Sequence, residues 1–146
     1  MKLDILFFGA HPDDVELGCG ATVGKMVAEG KKVGIIDLTR GELGTRGSAE
    51  IRDQEAKDAA EILGVSFREN LGFRDGFFQN DEEHQFKLIE VIRKYRPEII
   101  LCNAVEDRHI DHGKGSEVVE KAAFLSGLKR IETNYEAWRP KHVFHY

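Results

Sequence analysis

The stretch LDILFFGAHPDD, residues 3–14, is an apolar run that stops abruptly in one histidine and two aspartates. Residues 3–9 are typical of a buried strand, and near-continuous apolar character suits a strand that helices cover on both faces. His11 and Asp14 are three residues apart, so a tight turn after the strand brings both side chains to one point. Two interpretations fit this turn. Either Asp13 and Asp14 cap the following helix, or His11 and Asp14 are half of a metal site with Asp13 beside them.

Strands and helices alternate along the rest of the chain. We predict helices over residues 15–29, 49–63, 82–95 and 114–126, and strands over residues 3–9, 33–39, 65–71, 98–103 and 141–146. The alternation predicts right-handed βαβ crossovers, and hence an α/β, Rossmann-like three-layer fold with a mainly parallel sheet. In such sheets ligands bind beyond the carboxyl ends of the strands, where the polar loops after the first four strands lie.

Local signals refine two of these helices. Ser48 is expected to cap the helix over residues 49–63, and Gly64 is expected to end it. In the helix over residues 82–95, the apolar side chains predicted to face the core are Phe86, Ile89, Val91 and Ile92.

Composition and charge argue against several classes of protein. A formal net charge of −5 and the absence of a basic run speak against a nucleic-acid surface. No stretch reaches the length of a membrane span, and the first apolar run is too short for a signal peptide. Cys19 and Cys102 form no CxxC pair and resemble small buried residues of a reducing compartment. We therefore expect a cytoplasmic protein with neither a membrane nor a nucleic-acid partner.

A second polar cluster, EDRHIDHG at residues 106–113, follows the fourth predicted strand. His112 can supply a third ligand beside His11 and Asp14. Two histidines and one carboxylate, with one position left for water, match catalytic zinc, and the same ligands also suit Fe²⁺. The alternative is a helix cap by Asp111 with solvated histidines. Two such clusters at the ends of parallel strands favour the metal site.

Three residues beside the proposed ligands remain for proton transfer. Asp13 adjoins a ligand and can take the proton of a bound water. His109 lies three residues before His112 and can stabilise an oxyanion or protonate a departing amine. Asp111 can orient His109 and hold it charged, or it can cap the helix that follows.

Arginines at the same predicted edge indicate a negatively charged group on the substrate. Arg52 lies in the first turn of a predicted helix, where a cation opposes the helix dipole, although neighbouring acidic residues offer an ion-pair explanation. Arg108 adjoins the proposed site, and Arg46 and Arg74 lie in loops on that edge. The glycine-rich loop over residues 40–47 is either a mobile lid or a turn-rich connection.

The two clusters resemble the LmbE-like, PIG-L family of zinc-dependent de-N-acetylases. The resemblance rests on AHPDDVE at residues 10–16 and HIDH at residues 109–112. The stretches around residues 37–42 and 50–52 are most similar to the bacillithiol-pathway branch, whose members remove acetate from N-acetylglucosaminyl malate. The resemblance implies a metal-dependent N-deacetylase with a Rossmann-like fold. It also implies an N-acetylated amino-sugar conjugate as substrate, and frequent homo-oligomers that are often hexamers.

The resemblance also implies roles for individual residues. It implies that His11, Asp14 and His112 are zinc ligands and that Asp13 is the general base. It implies that His109, supported by Asp111, stabilises the tetrahedral intermediate or protonates the amine. Arg52 and Arg108 would be the active-site arginines. Family members usually continue past the end of this chain, with a later tyrosine that helps to hold the oxyanion. Because Tyr146 is the last residue, we expect a single domain, residues 1–146, that is truncated at its C-terminus.

Two rival functions remain. One is a non-catalytic module in which the same loops hold a metal or sugar without turnover. The other is a nucleotide-binding domain, which lacks its fingerprints because neither GxGxxG nor GxxxxGK[ST] occurs.

Overall fold

A five-stranded parallel sheet forms the centre of the computed structural model, which describes residues 1–146. Strands and helices alternate in the order β1 (Ile5–Gly9), α1 (Asp14–Ala28), β2 (Val33–Thr39), α2 (Ala49–Leu63), β3 (Phe67–Phe73), α3 (Glu82–Tyr95), β4 (Ile99–Cys102), α4 (Ile110–Leu125) and β5 (His142–His145). The predicted α/β, Rossmann-like fold is confirmed. None of the helices has the length and apolar character that a membrane crossing requires.

The strand order places β1 at the centre of the sheet. The order is β3-β2-β1-β4-β5, and every neighbouring pair is parallel. The chain leaves β1 towards β2 and β3 on one side, and it returns to the other side of β1 for β4 and β5. The topological switch point therefore lies between β1 and β4, where open parallel sheets bind their ligands.

Strand β1 is apolar on both sides because helices cover both faces of the sheet. Ile5 and Phe7 pack in one cluster with Val15 and Val23 of α1. The alternate residues Leu6 and Phe8 point to the opposite face, in a larger cluster that includes α3 and α4. Both phenylalanines are fully buried, and each contributes on the order of 1.5–3 kcal/mol by leaving water.

Several predicted boundaries are wrong by two residues or more. Strand β1 begins at Ile5 rather than at residue 3, and β3 ends at Phe73 rather than at residue 71. Two further differences have a clear local reason. Helix α4 begins at Ile110 rather than at residue 114, because Nδ1 of His109 accepts a hydrogen bond from the backbone N–H of Asp111 and caps the helix early. Strand β3 begins at Phe67 rather than at residue 65, because Gly64 ends α2 in the left-handed region at φ 70° and the next two residues form the connection. The predicted Ser48 cap of α2 is confirmed, since its side chain accepts from the N–H of Ile51.

The predicted inward position of Phe86 is also wrong, because this side chain is 37% exposed. The buried stripe of α3 passes through Gln85, Leu88, Ile89 and Ile92, and Phe86 lies beside it. The predicted burial of Ile89, Val91 and Ile92 is confirmed.

Helix α1 is kinked rather than continuous. Cys19 has the non-helical values φ −150° and ψ 23°, and the ring of Tyr146 lies over the neighbouring Gly18. A Cβ atom on Gly18 would lie 2.3 Å from Cδ2 of Tyr146, so only glycine leaves room for this ring. The Tyr146 hydroxyl donates to the carbonyl of Phe8 at 2.9 Å, which ties the end of the chain to β1.

Candidate metal centre

The loops after β1, β2, β3 and β4 surround a cavity of about 640 Å³ at the carboxyl edge of the sheet. Every site residue that the sequence predicts lines this cavity, except Asp111, which is completely buried beneath it. The cavity thus lies at the switch point between β1 and β4. We refer to it below as the inner cavity.

Asp14 lies between the two predicted histidine ligands. Its Oδ2 atom is 3.4 Å from Nδ1 of His11, and its Oδ1 atom is 3.2 Å from Nε2 of His112. Oδ2 also accepts hydrogen bonds from the backbone N–H of His11 at 2.9 Å and from Nδ2 of Asn103 at 3.1 Å. Burial raises the pKa of Asp14, but the hydrogen bonds from His11 and the charge of His112 outweigh it and hold the pKa below its usual value.

The helix-capping interpretation does not explain these side chains. Asp13 occupies the N-cap position of α1, yet its side chain makes no capping hydrogen bond. Its carboxylate is half exposed, and Oδ2 lies 3.3 Å from Nη2 of Arg52. Asp14 accepts from His11 and Asn103, which lie outside the helix. The two aspartates therefore have separate partners at the inner cavity.

Carboxylates also hold the far side of each histidine ring. Nε2 of His11 lies 3.1 Å from Oδ1 of Asp75 and 3.2 Å from Oδ2 of Asp111. Nδ1 of His112 lies 2.6 Å from Oδ2 of Asp107. Because a carboxylate only accepts, these ring nitrogens carry protons, and the nitrogen that faces Asp14 is the other one in each ring. Histidines that bind metals typically donate their second N–H in this way.

The carboxylates around the inner cavity favour a positive charge at His11. Burial alone lowers the pKa of His11, but the carboxylates of Asp14, Asp75 and Asp111 together raise it to about 9. The donor atoms of His11, His109 and His112 lie within 4.8 Å of one another, and so do those of His11, Asp75 and Asp111. Asp14 contacts two of those histidines as well. The residues present therefore fit a divalent cation held by imidazole and carboxylate.

The predicted link between Asp111 and His109 is wrong in its geometry. The carboxylate of Asp111 faces His11 and accepts from the backbone N–H of Gly76 at 2.9 Å. Its second oxygen, Oδ1, is buried without a hydrogen-bond partner. His109 instead accepts at Nδ1 from the backbone N–H of Asp111, so its proton is on Nε2. The carboxylate cannot hold His109 charged, because it is turned towards His11.

Two functional candidates were missed from the sequence. Asp75 follows β3 and is 6% exposed, with one oxygen on His11 and the other on the backbone N–H of Leu43 at 3.0 Å. Asn103 follows β4, is 3% exposed, and bridges Asp14 to the backbone N–H of Ala10. Asn103 is a polar residue directly after an apolar strand, the same signal that identified His11, so that signal was available in the sequence. Asp75 lies two residues beyond β3, a strand that itself carries polar residues, so no such signal marked it.

The glycine-rich loop over residues 40–47 is anchored in its first half. The carbonyl of Gly41 accepts from Nη1 of Arg52 at 3.0 Å, and the backbone N–H of Leu43 donates to Asp75. Asp75 in turn donates its own N–H to Oε1 of Glu42 at 2.9 Å. These contacts favour the turn-rich connection over the mobile lid for residues 41–43.

The remaining arginines differ in their surroundings. Arg108 lines the inner cavity, and its side chain has no hydrogen-bond or ion-pair partner in the structure. Arg74 stacks on Phe77, with its guanidinium carbon 4.2 Å from the ring centre, and lies outside the inner cavity. Arg52 joins the cavity wall through Asp13 and Gly41.

A further cavity, of about 500 Å³, lies behind Pro12 between α2 and β3. Its buried cation, Arg68, donates to both oxygens of Asp37 and pairs with Glu16. Burial lowers the pKa of Arg68, but these two carboxylates outweigh it and raise the pKa above its usual value. The charge of Arg68 is therefore already paired within the fold, whereas the side chain of Arg108 at the inner cavity has no partner.

Comparison with known proteins matches most of the chain, including the residues of the inner cavity, to one family. The family model described as "PIG-L: GlcNAc-PI de-N-acetylase" matches residues 6–123. The uncharacterized deacetylase YaiS of Escherichia coli K12 is 33% identical over 114 residues, which cover 74% of this chain and 61% of that protein. Diacetylchitobiose deacetylase of Thermococcus kodakarensis is 36% identical over 134 residues, which cover 85% of this chain and 50% of that protein.

A solved structure is similar in both fold and sequence. The conserved protein TT1542 from Thermus thermophilus superposes with a TM-score of 0.93 at 42% identity, over 97% of this chain and 65% of that one. The chain thus spans between half and two thirds of the length of these relatives.

Proposed function

The chain belongs to the PIG-L family of de-N-acetylases, and from this premise we propose that it hydrolyses the acetamide of an N-acetylated amino sugar and releases acetate. The observation that carries the proposal is the position of Asp14 between His11 and His112, whose far ring nitrogens are both held by carboxylates. The best candidate substrate is N-acetylglucosaminyl malate of bacillithiol biosynthesis, in the cytoplasm. A related sugar conjugate with an inositol or a second sugar is the nearest alternative.

His11, Asp14 and His112 would hold the metal ion, which we propose to be Zn²⁺, although the same ligands suit Fe²⁺. A divalent cation there would supply a Lewis acid for the acetyl carbonyl and would lower the pKa of a nearby water.

Asp13 is the proposed general base. Its carboxylate is half exposed at the wall of the inner cavity, and Arg52 holds one of its oxygens. The other oxygen is free to accept the proton of the attacking water and to pass it to the departing amine nitrogen. In the overall reaction, water adds to the acetyl carbon and the C–N bond breaks, so that acetate and a free amine leave.

His109 is the proposed donor to the carbonyl oxygen. Its Nδ1 accepts from the backbone of Asp111, so Nε2 carries the proton and can donate a hydrogen bond to an oxygen that gains negative charge. Arg108 and Arg52 are the proposed contacts to the rest of the substrate, since Arg108 has no partner within the chain.

Replacing Asp13 tests the proposal. D13N is expected to retain zinc while acetate release from N-acetylglucosaminyl malate falls by about 10²–10⁴-fold, the usual contribution of a positioned base. The matched control is D53N, because Asp53 is also half exposed and paired with an arginine, Arg40, but lies outside the inner cavity. D53N should keep wild-type turnover.

Two results would contradict the proposal. Unchanged turnover in D13N would exclude Asp13 as the base. Bound zinc without acetate release from several N-acetyl sugars by the wild-type chain would instead support a non-catalytic module.

A further inference from the structure

A second cavity, of about 550 Å³, opens directly beside the inner cavity. The two cavities share three residues, Asp13, Gly44 and Arg52. We call the second one the outer cavity. It lies between the exposed half of the glycine-rich loop and the first turns of α2. A substrate whose acetamide lies beside Asp13 therefore has space on both sides of that residue.

The partition between the cavities is one ion pair. Nη2 of Arg52 lies 3.3 Å from Oδ2 of Asp13. Gly44 packs closely against this pair, because a Cβ atom there would lie 3.1 Å from Nη1 of Arg52 and would crowd the guanidinium. A group attached to a sugar in the inner cavity would reach the outer cavity beside this ion pair, since Asp13, Gly44 and Arg52 line both cavities.

Arg46 is the unpaired cation of the outer cavity. Its side chain is exposed and forms no hydrogen bond or ion pair in the structure. Arg40, in the same loop, donates instead to both oxygens of Asp53. Ile51, in the first turn of α2, also lines the outer cavity, and the positive end of the helix dipole adds to the potential of Arg46.

One negative charge opposes Arg46 across the outer cavity. Glu55 lies on the α2 wall, and it too has no hydrogen-bond or ion-pair partner. Asp13 is the other acid in the wall, and Arg52 already pairs with it. An anionic group in this cavity is therefore attracted by Arg46 and repelled by Glu55.

We propose that the outer cavity binds the group attached to the amino sugar, and that Arg46 selects a carboxylate on that group. The inference rests on the proposed function, because it assumes that the amino sugar occupies the inner cavity. Arg46 would then be a specificity-determining residue, distinct from the groups that perform hydrolysis. Its planar guanidinium offers the paired donors that a carboxylate accepts.

The test compares a charged with an uncharged substrate. The zinc-loaded chain and its variant R46A are assayed on N-acetylglucosaminyl malate and on methyl N-acetylglucosaminide. R46A is expected to lose about 10-fold or more in kcat/KM on the malate conjugate, mainly through KM, which is typical of one charge-assisted hydrogen-bonded contact. Turnover of the methyl glycoside should not change.

Two further variants separate the contact from general electrostatics. E55Q should lower KM for the malate conjugate and leave the methyl glycoside unaffected. R74A removes the same charge from a loop at the same edge, but Arg74 stacks on Phe77 outside both cavities. R74A should leave the ratio of the two substrates unchanged.

Calorimetric titration with the same two sugars measures their binding affinities independently of turnover. Weaker binding of the malate conjugate to R46A, with no change for the methyl glycoside, supports the proposal even if neither sugar is hydrolysed. That outcome would reject the proposed function alone. Equal effects of R46A on both sugars, no effect on either, or no binding of the malate conjugate to the wild-type chain would overturn the proposal.

Discussion

Nδ2 of Asn103 donates a hydrogen bond of 3.1 Å to Oδ2 of Asp14, and Oδ1 of the same amide accepts one of 2.9 Å from the backbone N–H of Ala10. One buried amide at the end of β4 thus holds both the turn after β1 and the carboxylate between the two histidines. It joins the two strands that flank the switch point.

Replacing Asn103 by alanine should weaken both the fold and the proposed metal site. The N–H of Ala10 would lose its partner in a buried position, which typically costs about 1–3 kcal/mol of unfolding free energy. Asp14 would lose a donor that orients it, and such outer contacts are typically worth about 10–100-fold in metal affinity. Urea unfolding and calorimetric zinc titration measure the two effects.

The control for Asn103 is Asn134→Ala. Asn134 is exposed, and its one side-chain hydrogen bond, to Glu90, is 3.5 Å long. This variant should stay within about 0.5 kcal/mol of the wild type and bind zinc unchanged. If N103A lost stability but kept wild-type zinc affinity, the amide would serve the fold and not the metal site.

Gly41→Ala should displace Arg52 from Asp13. The residue has φ +62°, and a Cβ atom would lie 2.3 Å from Nη1 of Arg52. We expect about 1–2 kcal/mol of destabilisation from the left-handed backbone, and at least a tenfold loss of kcat because Asp13 loses its partner. Chemical unfolding and acetate release measure these two quantities.

Gly72→Ala isolates the displacement from the backbone strain. Gly72 has φ +64°, close to that of Gly41, but nothing lies within 4 Å of its Cβ position. It should lose similar stability and keep its kcat. Equal kcat losses in both variants would show that strain, and not the displaced guanidinium, lowers activity.

Much of the fold could be predicted because its signals are local. Strand β1 is apolar at every position since both faces are covered, and its run stops where the turn begins. Gly64 and Ser48 marked the ends of α2 by their backbone and capping chemistry. The start of helix α4 could not be predicted, because histidine is an unusual helix cap. Only the geometry shows that Nδ1 of His109 has that role.

The candidate site was predictable in its members but not in its contacts. HPDD and HIDH both follow strands, so topology alone places them at one edge of the sheet. The direction of Asp111 depends on the loop after β3, which brings Gly76 and Asp75 within reach of the same histidine. Such contacts join residues that are 35 to 100 positions apart, and no local pattern encodes them.

The thiol of Cys102 should resist alkaline titration. Burial raises its pKa to about 12, because the hydrogen bond from Ser116 offsets only part of that effect. An ordinary thiol with a pKa near 9 would react roughly tenfold or more faster at pH 9.5 than at pH 7. Labelling of native Cys102 with a thiol reagent, measured in a variant with Cys19 replaced by serine, should stay slow over that range.

The raised pKa of Cys102 also fixes the sign of its effect on stability. The folded state holds the thiol proton more tightly than the unfolded state, whose pKa is near 9. Its contribution to stability is therefore complete below about pH 9 and is lost as the pH rises towards 12. Urea midpoints that fall less steeply in this window for C102A than for the parent would support this, and parallel curves would contradict it.

Asp75, in the loop after β3, contacts the loops after β1 and β2. Each of its two carboxylate oxygens faces a different hydrogen-bond donor. Oδ1 lies on Nε2 of His11, and Oδ2 accepts from the backbone N–H of Leu43. Asparagine has the same shape, but its NH₂ group must face one of these N–H groups. D75N should therefore be destabilised by about 1–3 kcal/mol, and its zinc affinity should fall by about tenfold or more as His11 loses its orientation.

Hydrogen exchange distinguishes this local effect of D75N from general loss of stability. The backbone amide of Leu43 should exchange faster in D75N, because Asp75 accepts its hydrogen bond. The amides of the buried strand β1 exchange only through global unfolding, so their protection should fall no further than the loss of global stability requires. D53N is the matched control, since Asp53 is exposed and its pair with Arg40 is worth at most about 1 kcal/mol. An unchanged exchange rate of the Leu43 amide in D75N would mean that the loop over residues 40–47 keeps its position without Asp75. The hydrogen bond from Arg52 to Gly41 would then be sufficient to hold it.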